Sequence, residues 1–170
     1  MRAMKSPLIQ FYRGKDTNQN RQHWDDIHHM DDFELEHNHT YIQWLFPLLE
    51  RSRAVPSSPV LSDDDVVEFC SDPELKERLK VSLDLMLKFY GLQRADNMIV
   101  PSSEFAIKSK NWVRRGDHNH LRLTRIMKSL SLLGLETDAK MLQTCLLKIA
   151  EANPQDISPS TVSYWKGAVR

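Results

Sequence analysis

Four of the seven histidines fall in two similar patches, Glu36-His37-Asn38-His39 and Asp117-His118-Asn119-His120. Imidazole and carboxylate are ligands that zinc and related ions accept, so His39, Asp117, His118 and His120 form a candidate metal set whose chemistry would be metal-assisted hydrolysis. Spacing argues against it. Residues two apart on a helix point about 200° from one another, and the chain holds no His-Glu-x-x-His motif. Asp117 and Asn119 also suit a helix start, where a short polar side chain accepts a backbone N–H. The expectation is a polar, helix-capping role with no cofactor, and a chain that is not an enzyme.

Other catalytic chemistry has little to stand on. There is no Gly-x-Ser-x-Gly elbow and no phosphate-cradling glycine loop. Cys70 and Cys145 both sit on apolar helical stripes and read as buried, inert thiols.

Charge is segregated although the total is zero, 23 basic residues against 23 acidic ones. Asp25, Asp26, Asp31, Asp32, Glu34 and Glu36 have no Lys or Arg among them. Between 108 and 128, Lys108, Lys110, Arg114, Arg115, Arg122, Arg125 and Lys128 face Asp117 alone. With Trp112 beside it, this basic run is an alternative nucleic-acid surface, gripping phosphates and stacking on a base. Overall neutrality favours pairing of the two segments within the fold, and an acidic protein or peptide partner is a third reading.

The elements that must position these groups read as helices. Five glycines in 170 residues and no Asn-Gly or Asp-Gly dipeptide leave little turn chemistry for sheets. Asp72-Pro73-Glu74 is a cap, a proline and a first-turn acid; Leu75, Leu79, Leu83, Met86, Leu87 and Tyr90 follow at helical spacing, and Gly91 stands at the stop. The same logic predicts helices from Asp117 to Leu133, from a Thr137 cap to Pro154, and from Ser158-Pro159 to the end. Upstream, Ser62 with Asp65 opens a short helix, and residues 31–45 read as one helix stopped by Pro47. The aromatic clusters around Phe11, Trp44 and Tyr90 read as core, and Gln43 among them needs a buried partner. Residues 51–60 and 92–103 read as loops.

The expected fold is all-α, a single compact domain over 1–170 with about six helices and a loosely ordered stretch at 1–8. No apolar run approaches the roughly 20 residues a membrane span needs, and the start lacks a signal peptide's apolar segment, so a cytoplasmic location without membrane insertion is expected.

Several strings carry a family likeness: Phe11-Tyr12-Arg13-Gly14, His39-Thr40-Tyr41-Ile42-Gln43-Trp44-Leu45-Phe46-Pro47, Phe89-Tyr90-Gly91, and His118 through Leu130, with Leu133-Gly134-Leu135-Glu136 behind them. Collinear over roughly 8 to 170, they resemble the conserved region of the opioid growth factor receptor family. The likeness is to its compact, stand-alone microbial and fungal versions, without the long tail and repeats of the animal proteins. The resemblance implies an α-helical domain with no assigned catalysis. Animal members are described as receptors for the pentapeptide Met-enkephalin at the nucleus, so a nuclear location applies if the source is eukaryotic. No residue-level ligand site is carried over.

The polar strings say more than a leucine core needs. His39 and Gln43, one helical turn apart, are expected to lie against the start of the 117–133 helix, where His118, Asn119, Arg122 and Arg125 complete a polar pocket or a filled network. A pocket there suits a carboxylate or phosphate, whether on a peptide, a protein or a small anionic ligand.

Overall fold

Serine and aspartate caps place several of the helix starts. A computed structural model describes residues 6–170. Internal contacts divide the chain into two compact units, Met1–Ser82 and Leu83–Arg170.

In the first unit α1 (Pro7–Tyr12) opens on Ser6, whose hydroxyl accepts the Ile9 N–H, with Pro7 in the first turn. Helix α2 (Trp24–His28) and α3 (Asp32–His37) follow, the latter closed by a reciprocal Asp31–Glu34 capping box. Next come α4 (Ile42–Leu45), α5 (Asp63–Ser71) with the expected Ser62–Asp65 box, and α6 (Pro73–Tyr90), which runs on into the second unit. Phe11 meets Trp44 and Tyr12 meets Phe69 edge to face, with centroids 5.2 and 5.1 Å apart.

Two expectations fail in this unit. Residues 31–45 are not one helix. Asn38 is extended, and its Oδ1 accepts both the backbone N–H and the hydroxyl of Thr40, each at 2.9 Å. That Asx turn offers the backbone an alternative to the helix and breaks it at 38–41. His39 therefore lies in the break and Gln43 in α4, so they are not one helical turn apart. The stretch 1–8 is corrected in part: residues 1–5 lie outside the described residues, but Pro7 and Leu8 already belong to α1, and Leu8 is buried.

A buried relay holds this unit's core. The His28 Nδ1–H donates to the Trp24 carbonyl at 2.7 Å, which leaves Nε2 to accept from the Ser82 hydroxyl at 3.0 Å. The Tyr12 hydroxyl donates to the Leu45 carbonyl at 2.6 Å and lies 3.1 Å from Ser82 Oγ. Burial, aided by the nearby charges of His29 and Arg78, holds the His28 pKa below its usual value, against the pull of the Trp24 carbonyl and Asp25. The folded chain thus resists a proton that the unfolded chain accepts below about pH 6.5. Urea midpoints are expected to be highest above that pH and to fall as the pH drops toward the lower folded value. His28→Gln should flatten this limb; an unchanged slope would show that another group sets it.

In the second unit α6 ends at Gly91, and the chain folds into a hairpin of β1 (Leu92–Ala95) and β2 (Met98–Pro101), antiparallel with Ala95 opposite Met98. This corrects the loop reading of 92–103. Asp96 takes the positive φ (54°) that a two-residue turn needs without an Asn-Gly pair. Then come α7 (Phe105–Lys108), a 3-10 turn at Ser109–Asn111, α8 (Asn119–Leu132), α9 (Glu136–Ala152) and α10 (Pro159–Gly167). Helix α9 starts ahead of Thr137, which is not its cap. On α8, Leu123, Ile126, Met127 and Leu130 are buried, but Leu121 is 68% exposed and outside the stripe.

The chain is mostly helical, with ten α-helices rather than about six and one small sheet among the described residues. No helix among them is long and apolar enough to cross a membrane.

Candidate functional site

The start of α8 is a built polar cluster. Asp117 is buried, and its Oδ1 accepts the Asn119 N–H at 2.9 Å, as its helix-start reading required. The Arg114 guanidinium approaches the other carboxylate oxygen at 3.3 Å. Asn119 is wholly buried and its Oδ1 accepts from the Tyr90 hydroxyl at 3.1 Å. The His120 Nε2 lies 2.7 Å from the Trp112 carbonyl and, as donor, satisfies it. Its own carbonyl accepts from the Trp165 indole and the Thr124 hydroxyl, both at 3.1 Å. Trp112 in turn donates from Nε1 to the Tyr90 carbonyl at 3.0 Å, closing one of the last open carbonyls of α6, while Lys108 Nζ closes Lys88.

These contacts sort the candidates. Asn119 and His120 are spent on internal bonds. Arg122 is buried, Arg125 half-buried, and His118 exposed with its Nδ1 4.0 Å from Asp117. His39, exposed, and Gln43, buried, belong to the first unit. The buried partner expected for Gln43 is missing on one side, since its Oε1 has no hydrogen-bond partner among the described residues.

No group of three or more His, Cys, Asp or Glu among the described residues is placed to hold a metal ion, which counts against the alternative set His39, Asp117, His118 and His120. His120 points at a carbonyl and Asp117 at a helix N-terminus, which is why. Base stacking on Trp112 also fails: the ring is 1% exposed and wedged against Tyr90 and Phe105. Lys108 and Arg114 of the same basic run are held by Glu104 and Asp117. Cys70, finally, is exposed and only Cys145 buried; burial pushes the Cys145 thiol up to about 11, partly opposed by Lys148.

What the sequence reading missed is a groove. In the second unit, β2, Phe105 of α7 and one side of α9 enclose an open cleft of about 490 Å³ with a mainly apolar lining. Thr137, Met141, Thr144 and Lys148 recur along α9 at three- and four-residue spacing on that wall. They form a second stripe beside the core-facing Leu142 and Leu146, and that double stripe was the available signal. Arg94 fixes the geometry. Its Nε and Nη1 bind Asp84 at 2.7 Å and Asp138 at 2.9 Å, tying β1 to α6 and α9. Burial works against that guanidinium, but the two carboxylates outweigh it and hold its pKa above the usual value.

Over residues 2–170 the chain matches the family model described as the opioid growth factor receptor conserved region. It belongs to the opioid growth factor receptor family. The mouse opioid growth factor receptor is 36% identical over 154 residues, 88% of this chain and 23% of the relative. The human receptor is 35% identical over 156 residues, 88% and 22%. The mouse opioid growth factor receptor-like protein 1 is 33% identical over 144 residues, 80% and 30%. The chain thus spans between about a fifth and a third of the length of these relatives. No solved structure matches it. Asn119 and His120 of the cluster, and the Tyr90-Gly91 turn that receives Trp112, fall within the strings that carry the family likeness.

Proposed function

We propose that this member of the opioid growth factor receptor family is a non-catalytic binding module whose ligand seat is the apolar groove between β2 and α9. The relatives' names describe receptors, and binding is the part of that role the chain takes. The carrying observation is the groove itself: its volume falls in the range of ligand clefts, its lining is apolar, and it is bordered by two lysines, Lys140 and Lys148. The ligand class is a peptide, a protein segment or a small molecule with apolar bulk and a negative charge. Hydrolysis has no support in the polar cluster, whose His120 is spent on the Trp112 carbonyl and whose Asp117 serves the α8 N-terminus.

The test is a titration of isotope-labelled protein with 1-anilinonaphthalene-8-sulfonate, an apolar anion. The expected result is movement of the amide signals of Met98, Ile99, Val100, Thr144 and Lys148, and its loss in Thr144→Trp, whose indole fills the groove. Binding that Thr144→Trp leaves intact overturns the reading. A second reading makes Gln43 a ligand contact, favoured by its buried, unpartnered Oε1. Signals moving around Gln43 instead of the groove select it.

A further inference from the structure

We propose that the groove takes an extended segment of a partner protein as a third strand on the free edge of β2, with an acidic side chain of that segment paired to Lys148. The inference rests on the groove being the ligand seat and adds how the ligand is held.

The hydrogen-bond alternation of the hairpin shows which groups are free. Ala95 and Met98 flank a two-residue turn, which makes them a mutually bonded pair, and Ser102 donates to the Gly91 carbonyl at 2.8 Å at the far end. Between these, Gln93 and Val100 bond to each other, whereas Arg94–Ile99 and Leu92–Pro101 are non-bonded pairs. The N–H and C=O of Ile99 and the C=O of Pro101 therefore point away from β1. Proline has no N–H to waste there.

That outer edge is a wall of the groove. Met98, Ile99, Val100 and Pro101 all line it, although consecutive strand residues point to opposite faces. Only an edge presents four consecutive residues to one cleft. The facing wall on α9, from Thr137 to Lys148, is about 16 Å long at 1.5 Å per residue, enough for about five extended residues. Alternate side chains of a docked strand would meet Met141 and Phe105 on one face and solvent on the other.

Charge chooses the partner. No Asp or Glu lines the groove, while Lys140 and Lys148 do. Lys140 is paired with Glu136 at 3.4 Å, but Lys148 has no carboxylate partner among the described residues. The occupant therefore carries an acid and is not basic.

The probes are lysine-capped heptapeptides alternating threonine with valine, leucine or phenylalanine and ending in glutamate, followed by fluorescence anisotropy. At least one is expected to bind with Kd below about 1 mM. N-methylation at alternate positions should weaken it about tenfold or more, because those amides donate to Ile99 and Pro101, while intervening positions are tolerated. Lys148→Glu, a change at an exposed site, should weaken the glutamate peptide several-fold and favour a lysine-ended one. Overturning results are a failure of all three peptides, a loss at every N-methylated position alike, or no response to Lys148→Glu. A concentration-dependent dimer that the peptides do not displace makes a second copy the occupant and also overturns it. If the naphthalene anion still occupies the groove in any of these cases, the binding-module reading stands and only the strand-addition inference falls.

Discussion

Trp112→Ala is expected to cost about 3–5 kcal/mol, the range for removing a fully buried large aromatic. Against a total of roughly 5–15 kcal/mol for a domain, that brings the second unit close to its folding threshold. The side chain is 1% exposed and stands edge-on to Tyr90, with centroids 5.3 Å apart. It also donates its indole N–H to the Tyr90 carbonyl, so alanine leaves both a cavity and an unclosed helix end. Urea unfolding followed by circular dichroism measures it. Trp112→Phe separates the two effects, keeping most of the volume but leaving the buried Tyr90 carbonyl without its donor, for which about 1–3 kcal/mol is expected. A Trp112→Ala variant within about 1 kcal/mol of the parent would refute the place given to this residue.

Gly91→Ala should cost about 2–5 kcal/mol. Gly91 has φ +77°, where an L residue loses about 1–2 kcal/mol, and a Cβ there would sit 2.8 Å from the Phe105 Cα. Backbone cannot swing aside as a side chain can, so α7 must move, and overpacking of that kind costs a further 1–3 kcal/mol or so. Gly116→Ala is the matched control. It shares a positive φ (+74°) but has nothing within 4 Å, so only the conformational part is expected. Equal melting temperatures for the two variants would mean that the close approach of Gly91 to α7 carries no weight. Because α7 supplies Phe105 to the groove, Gly91→Ala should also weaken binding of the naphthalene probe.

Particular residues show where sequence reasoning holds and where it breaks. The stripe from Leu75 to Tyr90 is buried as its period requires, and the helix spans Pro73–Tyr90 between the expected cap and glycine. Ser62–Asp65 and Ser158 cap as read, because a cap is a contact between residues three apart. The single helix over 31–45 fails for the same kind of cause: Asn38 binds Thr40 locally, an option that hydrophobic spacing does not register. Leu121 and Cys70 fail differently. Both fit an apolar stripe, yet whether a stripe's margin is covered depends on the element laid against it.

Order along the chain, then, was enough to determine the helical class, both limits of α6, the starts of α5 and α10, the family and the core of α6, because each depends on neighbours within four or so residues or on a string read whole. Only the tertiary structure decided that His120 is spent on a carbonyl, that Trp112 is walled in, and that β2 and α9 leave a groove between them. Those outcomes depend on which distant groups arrive at a given backbone atom. No period or composition records that, since partners such as His120 and Trp165 are 45 residues apart.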